Sequence, residues 1–221
     1  MNSYINFDFG RIKINRVVKH FILSDLMLWS GWGLIGPIFA VFIIQGIPNV
    51  SLVTIGATSA IYWIVKSIIQ IPVALLLDRH KGEKDELYTL IGSLILAGFV
   101  ALAFLLVKTT GQLYFVTLLQ GIAFGLYIPS WYAIFSRHLD KDRYALDWSL
   151  DSTSIGVASG VTALIGGMVA DYFGFPALFI AAGILSFGSA FVILTLPNII
   201  LPKRTTSRPL IADHLPSNVQ K

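Results

Sequence analysis

A chain of 221 residues that is 55% apolar and only 13% charged lacks the polar residues to cover a water-facing surface, since a soluble domain carries roughly 25% charge. The net charge of +4 does not point to nucleic acid as a partner, because no basic run is interleaved with aromatics as a nucleic-acid groove requires. Cysteine is absent, which excludes disulfides, thiolate metal sites and cysteine nucleophiles.

Six apolar stretches follow one another, at about residues 21–45, 52–77, 87–107, 113–136, 152–170 and 175–201. A hydrocarbon layer about 30 Å thick takes roughly 20 apolar residues per helix, whereas a membrane strand takes about 9–11 with in–out alternation. These stretches are long and apolar all round, so the expected fold is an all-α, polytopic membrane protein of six transmembrane helices, here spans 1 to 6. Asp25 is the one charge in the first stretch and Lys66 the one in the second; the other four hold none. The domain organisation expected is an N-terminal arm (1–20), a six-helix transmembrane domain (21–201) and a polar tail (202–221). The tail has no apolar periodicity and is expected to be disordered.

The connections differ in charge. Residues 46–51, 108–112 and 171–174 form short turns with a single basic residue, Lys108. The arm, the segments 78–86 and 137–151, and the tail carry fourteen Lys and Arg. Basic residues mark cytoplasmic loops, so both termini are expected on the cytoplasmic side, in a bacterial cytoplasmic membrane. Arg11, Lys13, Arg16 and Lys19 look like the start of a signal peptide. The apolar run after them is too long, and no small-residue cleavage site follows, so it is expected to stay as the first span.

The chain repeats itself. Trp32-Gly33-Leu34-Ile35-Gly36-Pro37 in span 1 aligns with Phe124-Gly125-Leu126-Tyr127-Ile128-Pro129 in span 4. Ala74-Leu75-Leu76-Leu77-Asp78 ends span 2 as Gly167-Met168-Val169-Ala170-Asp171 ends span 5, each aspartate being followed by a glycine, Gly82 and Gly174. Two repeats of three helices are implied. Because three is odd, the second lies inverted in the membrane, a construction that recurs in secondary transporters.

Those segments carry a resemblance. Pro72 to Glu86, PVALLLDRHKGEKDE, resembles the loop between helices 2 and 3 of the major facilitator superfamily, whose motif runs G-x-x-x-D-R-x-G-R-R. Gly166–Phe179, GGMVADYFGFPALF, resembles that family's junction of helices 5 and 6, and GIAFGLYIPSWYAIFS from Gly121 its fourth helix. The motifs depart from the family pattern at several places. Ala74 replaces the leading glycine, one extra residue separates Arg79 from Gly82, and Glu83-Lys84 replaces the basic pair. Thr117 stands where proton-coupled members often carry arginine, and Thr162-Ala163 where antiporters carry glycine–proline. The family usually has twelve spans in two halves, and these six resemble one half. The resemblance implies a secondary transporter that moves a small solute by alternating access, as a homodimer or with a second six-helix half. The reading from a different class is a non-transporting subunit, scaffold or transporter relic. It also implies that spans 1, 2, 4 and 5 face a central cavity, and that Asp78, Arg79 and Gly82 gate it.

Polar side chains fall accordingly. Asp25, Trp29, Trp32 and Gly36 share one face of span 1, and Gln120, Tyr127 and Trp131 one face of span 4. Trp63, Lys66 and Gln70 share a face of span 2, and Asp151, Ser154 and Thr162 one of span 5, while spans 3 and 6 are nearly featureless. The substrate-binding candidates are Asp25, Trp29, Trp32, Trp63, Lys66, Gln70, Gln120, Tyr127, Trp131 and Ser154. Ordinary helix packing or an interfacial aromatic belt would give the same stripes. Lys66 is the sharpest of them. It lies eleven residues before Leu77, about 17 Å from the end of its stretch, where an unpartnered lysine costs roughly 2.5–3.5 kcal/mol. It is expected to line an aqueous cavity and meet an anionic group or a carboxylate, although Asp25 could reach it only with strain. Gly156 and Gly160 form a G-x-x-x-G expected to pack closely on another helix. Pro37 and Pro129 are expected to kink or weaken their helices. No serine–histidine arrangement, no cluster with metal-ligand spacing and no phosphate loop is present in the sequence. No enzyme, cofactor or metal is expected, and the lipid bilayer and a small solute are the expected partners.

Overall fold

The computed structural model describes residues 15–79, 83–141 and 143–196. Gly82, most of the N-terminal arm and the tail 202–221 lie outside the described residues. Six helices long and apolar enough to cross a membrane run in chain order: span 1 (Arg16–Gly46), span 2 (Leu52–Arg79), span 3 (Lys84–Leu106), span 4 (Thr110–Arg137), span 5 (Tyr144–Phe173) and span 6 (Phe175–Leu194). No strand occurs among the described residues.

Local chemistry sets the ends. The Asn15 side chain accepts a hydrogen bond from the Val17 N–H at the start of span 1, and Thr109 caps span 4 through the Gln112 N–H, satisfying donors the helix leaves free. Spans 5 and 6 are separated by one residue, Gly174, whose φ of 77° suits glycine, and Pro176 starts the next helix where its missing N–H costs nothing. Pro37 breaks span 1 as expected, leaving a 3-10 turn at Gly36–Ile38. Pro129 does not break span 4, which stays α-helical from end to end.

The inverted repeat is visible in the packing. Span 2 lies against span 4 as span 5 lies against span 1, and span 3 lies against span 4 as span 6 lies against span 1, while spans 3 and 6 pack on each other. Exchanging the two triplets maps this pattern onto itself. The close contacts follow the same rule. A Cβ on Gly125 would meet Ile69 Cβ of span 2 at 2.7 Å, and one on Gly33, its repeat partner, would meet Ser159 Cα of span 5 at 3.0 Å. Small residues let helix backbones approach in lipid, where dispersion contacts drive association.

Span 4 supplies the G-x-x-x-G that packs closely, Gly121 and Gly125, whose added Cβ atoms would strike Val65 and Ile69 of span 2. Gly156 and Gly160 do not behave as expected: an added Cβ meets nothing at either position. Span 5 turns its Ala158–Ser159–Thr162–Gly166 side to span 1, so the other glycine pair faces away from the bundle.

The bundle is unevenly filled. In the most apolar stretch of each helix, 39–50% of residues are buried in spans 1, 3, 4 and 6, but only 6% in spans 2 and 5. Spans 3 and 6 thus form the back of the bundle. Spans 2 and 5 flank the front, each leaving most of its circumference uncovered.

Candidate functional site

The front face is concave. Its larger pocket, about 820 Å³, opens between spans 2 and 4 and is lined by Lys66, Gln70, Asp78, Tyr132, Ser136 and Arg137 among others. A smaller pocket, about 300 Å³, lies between spans 1, 4 and 5. Ile128 and Tyr132 of span 4 line both, so a two-residue wall separates them.

Lys66 stands in the middle of span 2, with roughly 20 Å of helix on either side. Its Nζ lies 4.6 Å from the Trp63 ring centroid and 5.7 Å from that of Tyr62, close enough for cation–π attraction. Among the described residues no ion pair joins it to a carboxylate. In particular it does not meet Asp25. That carboxylate is 3% exposed and accepts a hydrogen bond from the Tyr127 hydroxyl across the span 1–span 4 contact.

Asp25, Trp29, Tyr127 and Trp131 all line the smaller pocket. Asp151 and Trp148 of span 5 and Tyr132 of span 4 complete it. Asp151 is 4% exposed, and its Oδ1 has no hydrogen-bond partner. Trp131 stacks on Phe135 at 4.4 Å, and Trp148 meets Phe135 edge-on at 5.0 Å, which fixes the indoles as walls.

The other sequence candidates are scattered. Trp32 is buried edge-on against Phe124 at 5.2 Å, with its Nε1–H unpartnered. Trp63 is exposed and lines neither pocket, although its ring lies against the Lys66 ammonium. Gln120 is half-buried and lines neither pocket. Ser154 donates to the Leu150 carbonyl and borders a shallow apolar hollow between spans 1 and 5. Asp78 and Arg79 are exposed at the end of span 2, where Asp78 lines the larger pocket together with Arg137.

Two features escape the sequence reading. Span 5 begins at Tyr144 rather than near residue 152, so Asp147 and Trp148 belong to a helix and not to a charged loop. The basic end of the bundle is tied by Arg137 Nη1 donating to Glu86 Oε1 at 2.8 Å, a contact of span 4 with span 3. Glu86 is 1% exposed. Its apolar neighbours Leu87 and Leu90 could have signalled that span 3 starts before residue 87. Around this tie, Asn15 donates from its side chain to the His138 carbonyl, and Asp147 accepts from the Asp140 N–H.

No group of three or more His, Asp or Glu that could hold a metal ion is present among the described residues. The sequence profile of the Major Facilitator Superfamily matches residues 21–217, which covers all six spans. No curated protein matches the chain.

Proposed function

The chain belongs to the Major Facilitator Superfamily, whose members move solutes across membranes, and from that premise we propose that it carries a small solute by secondary active transport and alternating access. The observation that carries this reading is the distribution of charge at depth. Asp25, Lys66 and Asp151 are the ionisable residues farthest inside their helices, and each lines a pocket of the front face. Charge within hydrocarbon persists where it faces protein or water. A carrier whose solute passes along spans 1, 2, 4 and 5 gives these three residues such a setting, whereas a scaffold has no use for them.

The same face calls for a cover. With spans 2 and 5 so little buried, the pockets open sideways unless a second six-span unit closes them, either another copy of this chain or a separate half. The unfilled glycines Gly156 and Gly160 lie on an uncovered side of span 5 and would let a foreign helix approach closely. Both termini then lie in the cytoplasm, on the side of the fourteen basic residues, and Asp78, which lines the larger pocket, gates its cytoplasmic mouth with its neighbour Arg79; the third gating candidate, Gly82, lies outside the described residues.

The test is uptake of a panel of radiolabelled solutes by purified protein in liposomes, with and without a pH gradient. A transported solute with an anionic group, bound through the larger pocket, should lose at least about tenfold in rate with Lys66→Met, the scale expected when a charge contact to substrate is removed. Uptake of no solute under any gradient, or unchanged affinity and rate in the variant, contradicts the reading. Cross-linking in native membranes through cysteines introduced at Ile68 and Val161 distinguishes a second copy from a different partner chain.

A further inference from the structure

The smaller pocket has a chemistry of its own. It holds two carboxylates, Asp25 and Asp151, and its walls include five aromatic side chains, Trp29, Tyr127, Trp131, Tyr132 and Trp148. Among the described residues no lysine, arginine or histidine lines it. Asp25 and Asp151 are 3% and 4% exposed and line one small space, a costly setting for two acids. Buried charges are ordinarily paired, yet neither has an ion-pair partner among the described residues. Tyr127 satisfies one oxygen of Asp25, whereas Asp151 Oδ1 is buried with no partner at all.

We propose that this pocket is a binding site for a small organic ammonium ion, held by Asp151 and Asp25 and caged by the faces and edges of Trp29, Trp131, Tyr132 and Trp148. The proposal rests on the transport reading and names the solute class that this part of the front face takes. The choice of an organic cation over a metal follows from the walls. Hard cations such as Ca²⁺ take six to eight oxygen ligands gathered around one point, whereas here the lining around the two carboxylates is mostly indole and phenol surface. Aromatic faces attract alkylammonium groups through the ring quadrupole and favour them over hydrated inorganic ions. A volume of about 300 Å³ lies at the lower end of small-molecule sites, which suits a group the size of tetramethylammonium. Lys66 contributes nothing here, because it lines the larger pocket on the far side of the Ile128–Tyr132 wall.

Three of the walls are tryptophans, so their fluorescence reads the site directly. Titration of the liposome-reconstituted protein with tetramethylammonium chloride at constant ionic strength should give saturable quenching, with sodium chloride as the matched control. Asp151→Asn should weaken binding at least about tenfold, as removal of a buried charge partner does, and Trp148→Leu by a few-fold. Trp148 is 37% exposed, so its replacement keeps the test open even if Asp151→Asn misfolds. Absence of saturation, equal affinity for sodium, or a titration unchanged in both variants overturns the proposal. If ammonium binding fails while liposomes still take up another solute in a Lys66-dependent manner, this inference falls and the transport reading stands. Saturable ammonium binding without uptake of any solute leaves the site in place and removes the transport reading.

Discussion

The two pockets of the front face share a wall and have opposite characters. Between spans 2 and 4 the space is wide, and its deepest charge is a lysine leaning on two aromatic rings. Between spans 1, 4 and 5 it is smaller and lined by two aspartates with no basic side chain. If the protein needed only to neutralise its buried charges, Lys66 would meet Asp25. Instead they line different pockets that share Ile128 and Tyr132 of span 4, and among the described residues neither has an ionic partner. A structural ion pair spends its charges on each other; here they stay free to act on something that arrives.

Substitutions can break or sharpen this contrast. The largest effect is expected at Gly125, where any side chain presses on Ile69 Cβ at 2.7 Å and on the Lys66 carbonyl at 3.1 Å. Gly125→Leu should push span 2 off span 4 and spoil the larger pocket, at a cost of about 1–3 kcal/mol or more, seen as a fall of several degrees in thermal unfolding in detergent. Tyr127→Phe acts on the other pocket. It leaves a buried Asp25 oxygen without its donor, for about 1–3 kcal/mol, and should lower the unfolding temperature in detergent. Arg137→Met unties spans 3 and 4 at their basic ends and leaves Glu86, whose side chain is 1% exposed, without its donor, for about 1–3 kcal/mol, read as a lower unfolding temperature. Gly156→Leu has open space before it. It should leave the unfolding of the single chain unchanged and register only in cross-linking yield with a second unit.

Much of the architecture is legible in the sequence because lipid imposes simple constraints. Six apolar lengths, the repeated Gly-Leu-x-x-Pro of spans 1 and 4, and the Asp-terminated ends of spans 2 and 5 are enough to anticipate six helices in two inverted triplets. Helical phase relative to neighbours is harder. Gly121–Gly125 and Gly156–Gly160 have the same spacing, yet only the first pair faces a helix, and nothing within either segment distinguishes them. Element ends are harder still where a helix runs beyond the hydrocarbon. Arg143 and Asp147 read as a charged loop because hydropathy falls there, but the helix continues with Asp147 buried and bonded to the Asp140 N–H. That extension brings Trp148 to the pocket, and the approach of Asp151 to Asp25 across spans 1 and 5 becomes visible only once the helices are assembled.

The central claim is that charge at depth faces water and not acyl chains. Because the chain has no cysteine, a single introduced thiol reports its surroundings without background. Lys66→Cys and Ile184→Cys stand near the middle of spans 2 and 6, and Ile184 is 63% exposed on the back of the bundle. In native membranes, a charged, membrane-impermeant methanethiosulfonate should label the thiol at 66 readily and leave the thiol at 184 untouched. Equal labelling of the two, or a thiol at 66 as inert as that at 184, would contradict the account.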